Sequence, residues 1–382
     1  MKNYFKAAIG YTIMILLFTQ CKQLYDPQVE AKNINLLVVE GYLNSGQGPT
    51  IIHLSRTADL KDTSILNPET GAQVIVEREN GSNFTLTSNT DGVYSISQLL
   101  LDDNVKYRLH IKTRDGKEYV SDYSSVKHTP PIDSISWQME NNGVQIYVNS
   151  HDDQNNTKFY RWTYSETWEF HSRFLKTVHY IIDPVTHQAV GIVSGAADTT
   201  IYKCWKTQNS TNIILGSTEK LSRDKVYLPV RYIGPQLDEL TVLYYIQLKQ
   251  YALSHDAYFF YQKMKKNTEQ LGSIFDPMPS ELRGNIHCVN DPDEIVIGYV
   301  EPSEAQEKEL FIHNSDLPIT WISQLPCSEF EVQNKPPLDV SIWPTRAGTL
   351  GPFNSIVTFY ASDRICVDCT ARGTNQKPAF WP

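Results

Sequence analysis

Six cysteines carry most of the chemistry this sequence could perform, and their surroundings divide them into two kinds. Gln20-Cys21 follows an uncharged apolar run, Ala7–Thr19, which itself follows the short positive segment holding Lys2 and Lys6. A run of that length suits the apolar part of an export signal and is short for a membrane span. A cysteine at its end is where diacylglycerol is attached before a lipoprotein signal peptidase cuts. Two or more acyl chains on one residue anchor a protein stably, whereas one chain holds only marginally. Residues 1–20 are therefore expected to be a lipoprotein signal peptide, 21–35 a tether, and Cys21 the lipidated residue. The residues before it, Leu17-Phe18-Thr19-Gln20, lack the usual small residue at the cut. An ordinary secretory peptide or a short membrane anchor are the competing readings.

The other five, Cys204, Cys288, Cys327, Cys366 and Cys369, read first as disulfide material in an exported chain. Five is odd, so two bridges and one leftover thiol is the simplest arrangement. Cys366 and Cys369 form the sole CxxC. A redox role would need a helix N-terminus to lower a thiol pKa, but the neighbours are Asp363 and Asp368, which would raise it. A zinc role needs a second ligand pair at suitable spacing, and none is visible. A bridge from Cys327 to either residue of the CxxC would staple a loop-rich C-terminal tail.

The remaining constellations are weak. GxSxG, HExxH and P-loop patterns are absent. His151-Asp152-Asp153 lacks the Gly and the twelfth-position Glu of a calcium loop and reads as a solvated turn. His171 and His179 read as surface or packing residues, and Asp276-Pro277 as a turn ending a helix. At Arg372-Gly373-Thr374-Asn375, Gly373 can take positive φ and the turn can close the structure beside the CxxC. The alternative is that Arg372, Lys377, Phe380 and Trp381 form an exposed docking cluster. No catalytic residue, metal site or cofactor is expected.

The elements that must position these residues are mostly strands. The 382 residues suit two or three domains, and 41% hydrophobic content supports sizeable cores. The 22 Tyr and 7 Trp favour pleated, half-buried surfaces. Loss of Lys2 and Lys6 with the signal would move the net charge from −9 to −11. An acidic chain without a basic stripe is a poor nucleic-acid binder.

Strand patterns occupy 36–43, 50–56, 73–77, 84–87, 93–96, 106–113 and 118–126, separated by Asn80-Gly81, Asp91-Gly92 and Asp115-Gly116. They predict a β-sandwich over 36–128. Pro130-Pro131 marks a boundary. A second, fibronectin III-like sandwich is predicted over 129–382. It carries one inserted helix at about 254–271, capped by Ser254, and a tail from Pro336 that wraps as long loops.

Several blocks carry a resemblance. Tyr244–Leu248, Leu253–Lys265, Gly272–Val289 with its Phe-Asp-Pro and Gly-Asn-Ile, Ile297–Val300, and Cys366–Trp381 are similar to domain-of-unknown-function family 4249. The resemblance implies an outer-membrane lipoprotein of Bacteroidetes that accompanies a TonB-dependent transporter, and it supplies no catalytic residues. Together these readings lead us to expect a non-enzymatic, lipid-anchored accessory or ligand-binding subunit. A structural or adhesive surface protein and an uncharacterised hydrolase are the alternatives.

Overall fold

The computed structural model describes residues 35–58, 67–88, 91–235, 237–269 and 282–382. Cys21, the signal region, the tether up to residue 34, Gly272 and Asp276-Pro277 lie outside them. The architecture is mainly β, and strands lie close to where alternation places them. Thr50–Arg56 and Lys106–Lys112 bury every second residue, so one face of each enters a core. Asp91 and Gly92 both have positive φ just before the strand that opens at Val93. A Cβ on Gly92 would also lie 2.4 Å from the Leu54 carbonyl oxygen.

Two sheets form the first sandwich. One runs in the order Val296–Ile297, Leu37–Gly41, Thr50–Arg56, Val93–Ile96, Thr87–Ser88. The other runs Ile286–Cys288, Glu118–Ser121, Lys106–Lys112, Gln73–Arg78, Phe84–Thr85. Tyr94, Tyr107 and Tyr119 are buried between them, yet each hydroxyl keeps a partner. Tyr94 donates to the Glu69 carbonyl at 2.9 Å, Tyr107 accepts from the Asp102 amide at 2.7 Å, and Tyr119 donates to Glu294 at 2.8 Å. Pairing the polar tip lets the ring contribute its full apolar burial.

The first sandwich also takes in residues beyond the boundary expected at 129. Ile286–Cys288 and Val296–Ile297 return to complete it, the latter pairing in parallel with Leu37–Val38. A strand pattern tells which face is apolar but not which distant strand it will join.

In the second body, Ile132–Glu140, Gly143–Asp152 and Asp224–Ile233 form one sheet. Facing it, Phe159–His171 is flanked by Lys203–Asn209 and Leu243–Ala252, with Ala305–His313 at the far edge. Trp162 lies wholly buried in the shared core and donates its indole N–H to Gln250 at 2.8 Å. Gln250 in turn donates to the Pro130 carbonyl and to Ser150, each at 2.8 Å. The inserted helix, α1, spans His255–Glu269. Ser254 caps it, its Oγ accepting from the Ala257 amide at 3.2 Å.

The tail differs from the expected wrap of loops. Phe330–Gln333, Trp343–Ala347 and Thr358–Ser362 make a three-stranded sheet. This sheet packs on a hairpin, Val178–Ile182 with Ala189–Ser194, around Phe359, Ala361, Val178 and Ile192. The strands are short and interrupted by Pro and Gly. Half of the core comes from a hairpin some 150 residues earlier, so no local pattern reveals it.

Candidate functional site

One cleft lies where the first sandwich, the second sandwich and α1 meet. Its volume is about 390 Å³, and a smaller recess of about 60 Å³ continues from it. Each wall follows from local structure. On α1, Phe260, Tyr261, Met264 and Thr268 fall at spacings that place them on one side of a helix, and they line the cleft. From the second sandwich come Arg161 and Thr163, two residues apart and so on the same face of their strand. The strand Leu37–Gly41 and the run Ile297–Tyr299 supply the opposite wall.

The Gly-Asn-Ile block fixes that wall. A Cβ on Gly284 would fall 1.5 Å from the Gly298 carbonyl oxygen, so the two backbones touch. Asn285 is 4% exposed and clasps Val300 twice. Its amide donates to the Val300 carbonyl at 2.8 Å, and its oxygen accepts from the Val300 N–H at 2.9 Å. Tyr299 and Glu301 flank the clasped residue and both face the recess. The family-like block is thus the frame of the cleft.

Aromatic side chains concentrate in the recess, while Ser210, Thr211 and Asn212 add a polar stretch to the cleft wall. Tyr42 meets Tyr251 edge-on at 4.9 Å, and Phe260 lies 5.7 Å from Tyr299. Burial pushes the Tyr299 hydroxyl up to about 12. Arg161 pairs across strands with Tyr251 and sits 4.4 Å over the Tyr261 ring and 5.7 Å over the Tyr251 ring. Glu301 is 5% exposed, and burial raises its carboxyl towards the neutral form. It accepts from the Ser254 amide at 3.0 Å, which ties the helix cap to the recess. Glu40 stands exposed at the rim. No three His, Cys, Asp or Glu among the described residues are placed to hold a metal ion.

The cysteines resolve into Cys204–Cys369 and Cys327–Cys366, with Cys288 free and buried in the first sandwich. The CxxC therefore divides between two bridges, one to the second sandwich and one within the tail. Sequence spacing left this pairing open.

Arg372 is turned inward. It pairs with Asp238 and lies 4.4 Å over the Phe170 ring. Trp381 is 5% exposed and donates to Glu169 at 3.1 Å. Phe380 is half-exposed against Tyr245 at 4.5 Å, and Lys377 is exposed. Gly373 does not need positive φ as expected. It is required by close approach instead, because a Cβ there would lie 2.4 Å from the Trp205 carbonyl oxygen. Thr374 and Trp205 exchange backbone hydrogen bonds at 2.8 and 2.9 Å, which closes the turn.

Glu169 gathers this end of the molecule. Burial opposes its charge, but hydrogen bonds from His171, Lys203 and Trp381 outweigh burial and hold the carboxyl down at about 2. His151 ends a strand rather than sitting in a loop, and bonds Asp133 at 2.6 Å. Asp152 accepts from the backbone amides of Gln154, Asn156 and Thr157, which closes the turn after it.

A family model described as a domain of unknown function, DUF4249, matches residues 22–309. The chain belongs to this family. The match covers α1 and the frame of the cleft and stops short of the disulfide-bonded tail. No protein of curated function matches this family member. Two solved structures are distantly similar. A provisionally assigned carbohydrate-binding protein from Bacteroides uniformis is 11% identical, with 57% of this chain and 90% of that one covered and a TM-score of 0.15. The adhesin InvE of Yersinia pseudotuberculosis is 10% identical, with 86% and 75% covered and a TM-score of 0.16. At such scores neither bears on the fold or the site.

Proposed function

We propose that this chain is a lipid-anchored envelope protein, tethered through Cys21 to the outer membrane, that captures a ligand without transforming it. It delivers that ligand as an accessory subunit of a TonB-dependent transporter. The observation that carries the capture role is the cleft, a concave site at the meeting of two bodies and a helix, where Phe260, Tyr261 and Tyr299 face a polar stretch formed by Ser210, Thr211 and Asn212. Binding sites favour such places. The cleft is also framed by the family's own sequence block.

The test is a gentle extraction from native outer membranes of the C-terminally tagged chain, with its co-purifying proteins identified by mass spectrometry. A stoichiometric transporter barrel supports the reading. Recovery of the chain alone removes the transporter from it.

The adhesive reading keeps one observation in its favour. The hairpin Val178–Ser194 exposes Ile181, Ile182, Val190 and Val193, with Val185 85% exposed at its tip. A deletion strain that grows normally on nutrients yet loses attachment would favour it.

A further inference from the structure

Resting on the capture role of the cleft, we infer that its ligand carries an oxyanion, carboxylate or phosphate, which docks on Arg161 while a ring-shaped or apolar body lies against the tyrosines. Arg161 is the cation of the cleft lining, and it is held rather than neutralised. Elsewhere the half-buried arginines of this protein meet carboxylates. Arg56 bonds Glu69 at 2.6 Å, Arg231 bonds Glu166 at 2.8 Å, and Arg372 pairs with Asp238. Among the described residues no carboxylate lies within ion-pair distance of Arg161, and its neighbours are the rings of Tyr251 and Tyr261 and the Tyr261 hydroxyl, which it hydrogen-bonds.

The two rings and the Tyr261 hydroxyl hold the guanidinium in place, and its remaining N–H donors can form further hydrogen bonds. A planar fork in that state matches a carboxylate or phosphate two oxygens at a time. The nearest buried acid, Glu301, is spent on the Ser254 amide, and burial favours its neutral form. Glu40, at the rim, is exposed to water. Because Arg161 and Thr163 are on a strand and Tyr261 is on α1, the cation is positioned by rigid elements before any ligand arrives.

The test uses the full mature chain, with thermal melting and calorimetric titration at matched ionic strength. The probes are inorganic phosphate, D-galacturonate and its neutral counterpart D-galactose. Wild type is expected to bind galacturonate or phosphate and to melt higher with it, with galactose the weaker ligand. The stronger of the two anions tells a carboxylate ligand from a phosphoryl one. Arg161→Gln should weaken the anion at least about tenfold, the loss of a charge-assisted pair. Arg161→Lys should fall between, keeping the charge but losing the fork. Unchanged circular dichroism in both variants shows that the fold survives. Equal binding of either anion by wild type and Arg161→Gln overturns the inference, as does the absence of binding by all three probes. Galactose bound as well as galacturonate, in wild type and variant alike, also overturns it, but leaves ligand capture by the cleft standing.

Discussion

Asn285 offers a sharp test of how the cleft is framed. Its side chain bridges both polar groups of Val300, a residue 1% exposed, at 2.8 and 2.9 Å. Asn285→Ala leaves a buried N–H and a buried carbonyl without those partners. Each such group costs about 1–3 kcal/mol, so a loss of about 2–6 kcal/mol is expected for the two. Asn285→Asp separates the two bonds. Ionised, it still accepts from the Val300 N–H but sets a second oxygen against the Val300 carbonyl; protonated, it restores the donor. Its folded pKa should therefore lie above the unfolded value of about 3.9. The variant is then most stable below that value and loses stability as pH rises through the folded pKa. Urea unfolding at several pH values, followed by circular dichroism, reads both effects. An Asn285→Ala chain within about 0.5 kcal/mol of wild type, or an Asp variant with no pH trend beyond wild type, would refute the reasoning.

Other expectations follow from single contacts. Glu169 has its carboxyl depressed to about 2, so its contribution is present above about 4.5 and is lost as pH falls towards 2. Up to about 3 kcal/mol of attachment at the chain's end is at stake, and the emission of buried Trp381 should change over that window in wild type but not in Glu169→Gln. Replacing Cys204 and Cys369 by Ala opens a loop closed over 165 residues, worth up to about 5 kcal/mol by chain entropy. The tail should then be cut first in limited proteolysis, and unchanged resistance would count against the bridge. Gly284→Ala should destabilise the cleft wall measurably, since its Cβ would overlap the Gly298 carbonyl, and a thermal melt equal to wild type would contradict that contact.

Much of this fold was legible in the sequence where the signal is local. Alternation placed Thr50–Arg56, Val93–Ile96 and Lys106–Lys112 with nearly the right ends, and Ser254 announced α1. One local signal went unread. Asn141-Asn142 both take positive φ in the hairpin that opens the second body, and adjacent asparagines before Gly143 mark such a turn.

What stayed hidden depends on distance along the chain. Residues 286–297 joining the first sandwich, the tail sheet packing on the hairpin at 178–194, and the split of the CxxC are all pairings between remote segments. The cleft was hidden for the same reason. Tyr261 and Tyr299 lie in blocks that carry the family resemblance, but nothing in those blocks shows that they meet Arg161 and Tyr251 once three elements are assembled. The Gly-Asn-Ile block was recognisable as a motif, but its work as a backbone contact and a double clasp needed coordinates.

The most direct test of the central claim is native mass spectrometry of the chain isolated gently from the cells that make it. Wild type is set beside Thr163→Trp, which fills the cleft from its strand wall. The account predicts a small molecule bound at one per chain in wild type and lost from the variant. The same bound mass on both proteins, or none on either, would contradict it.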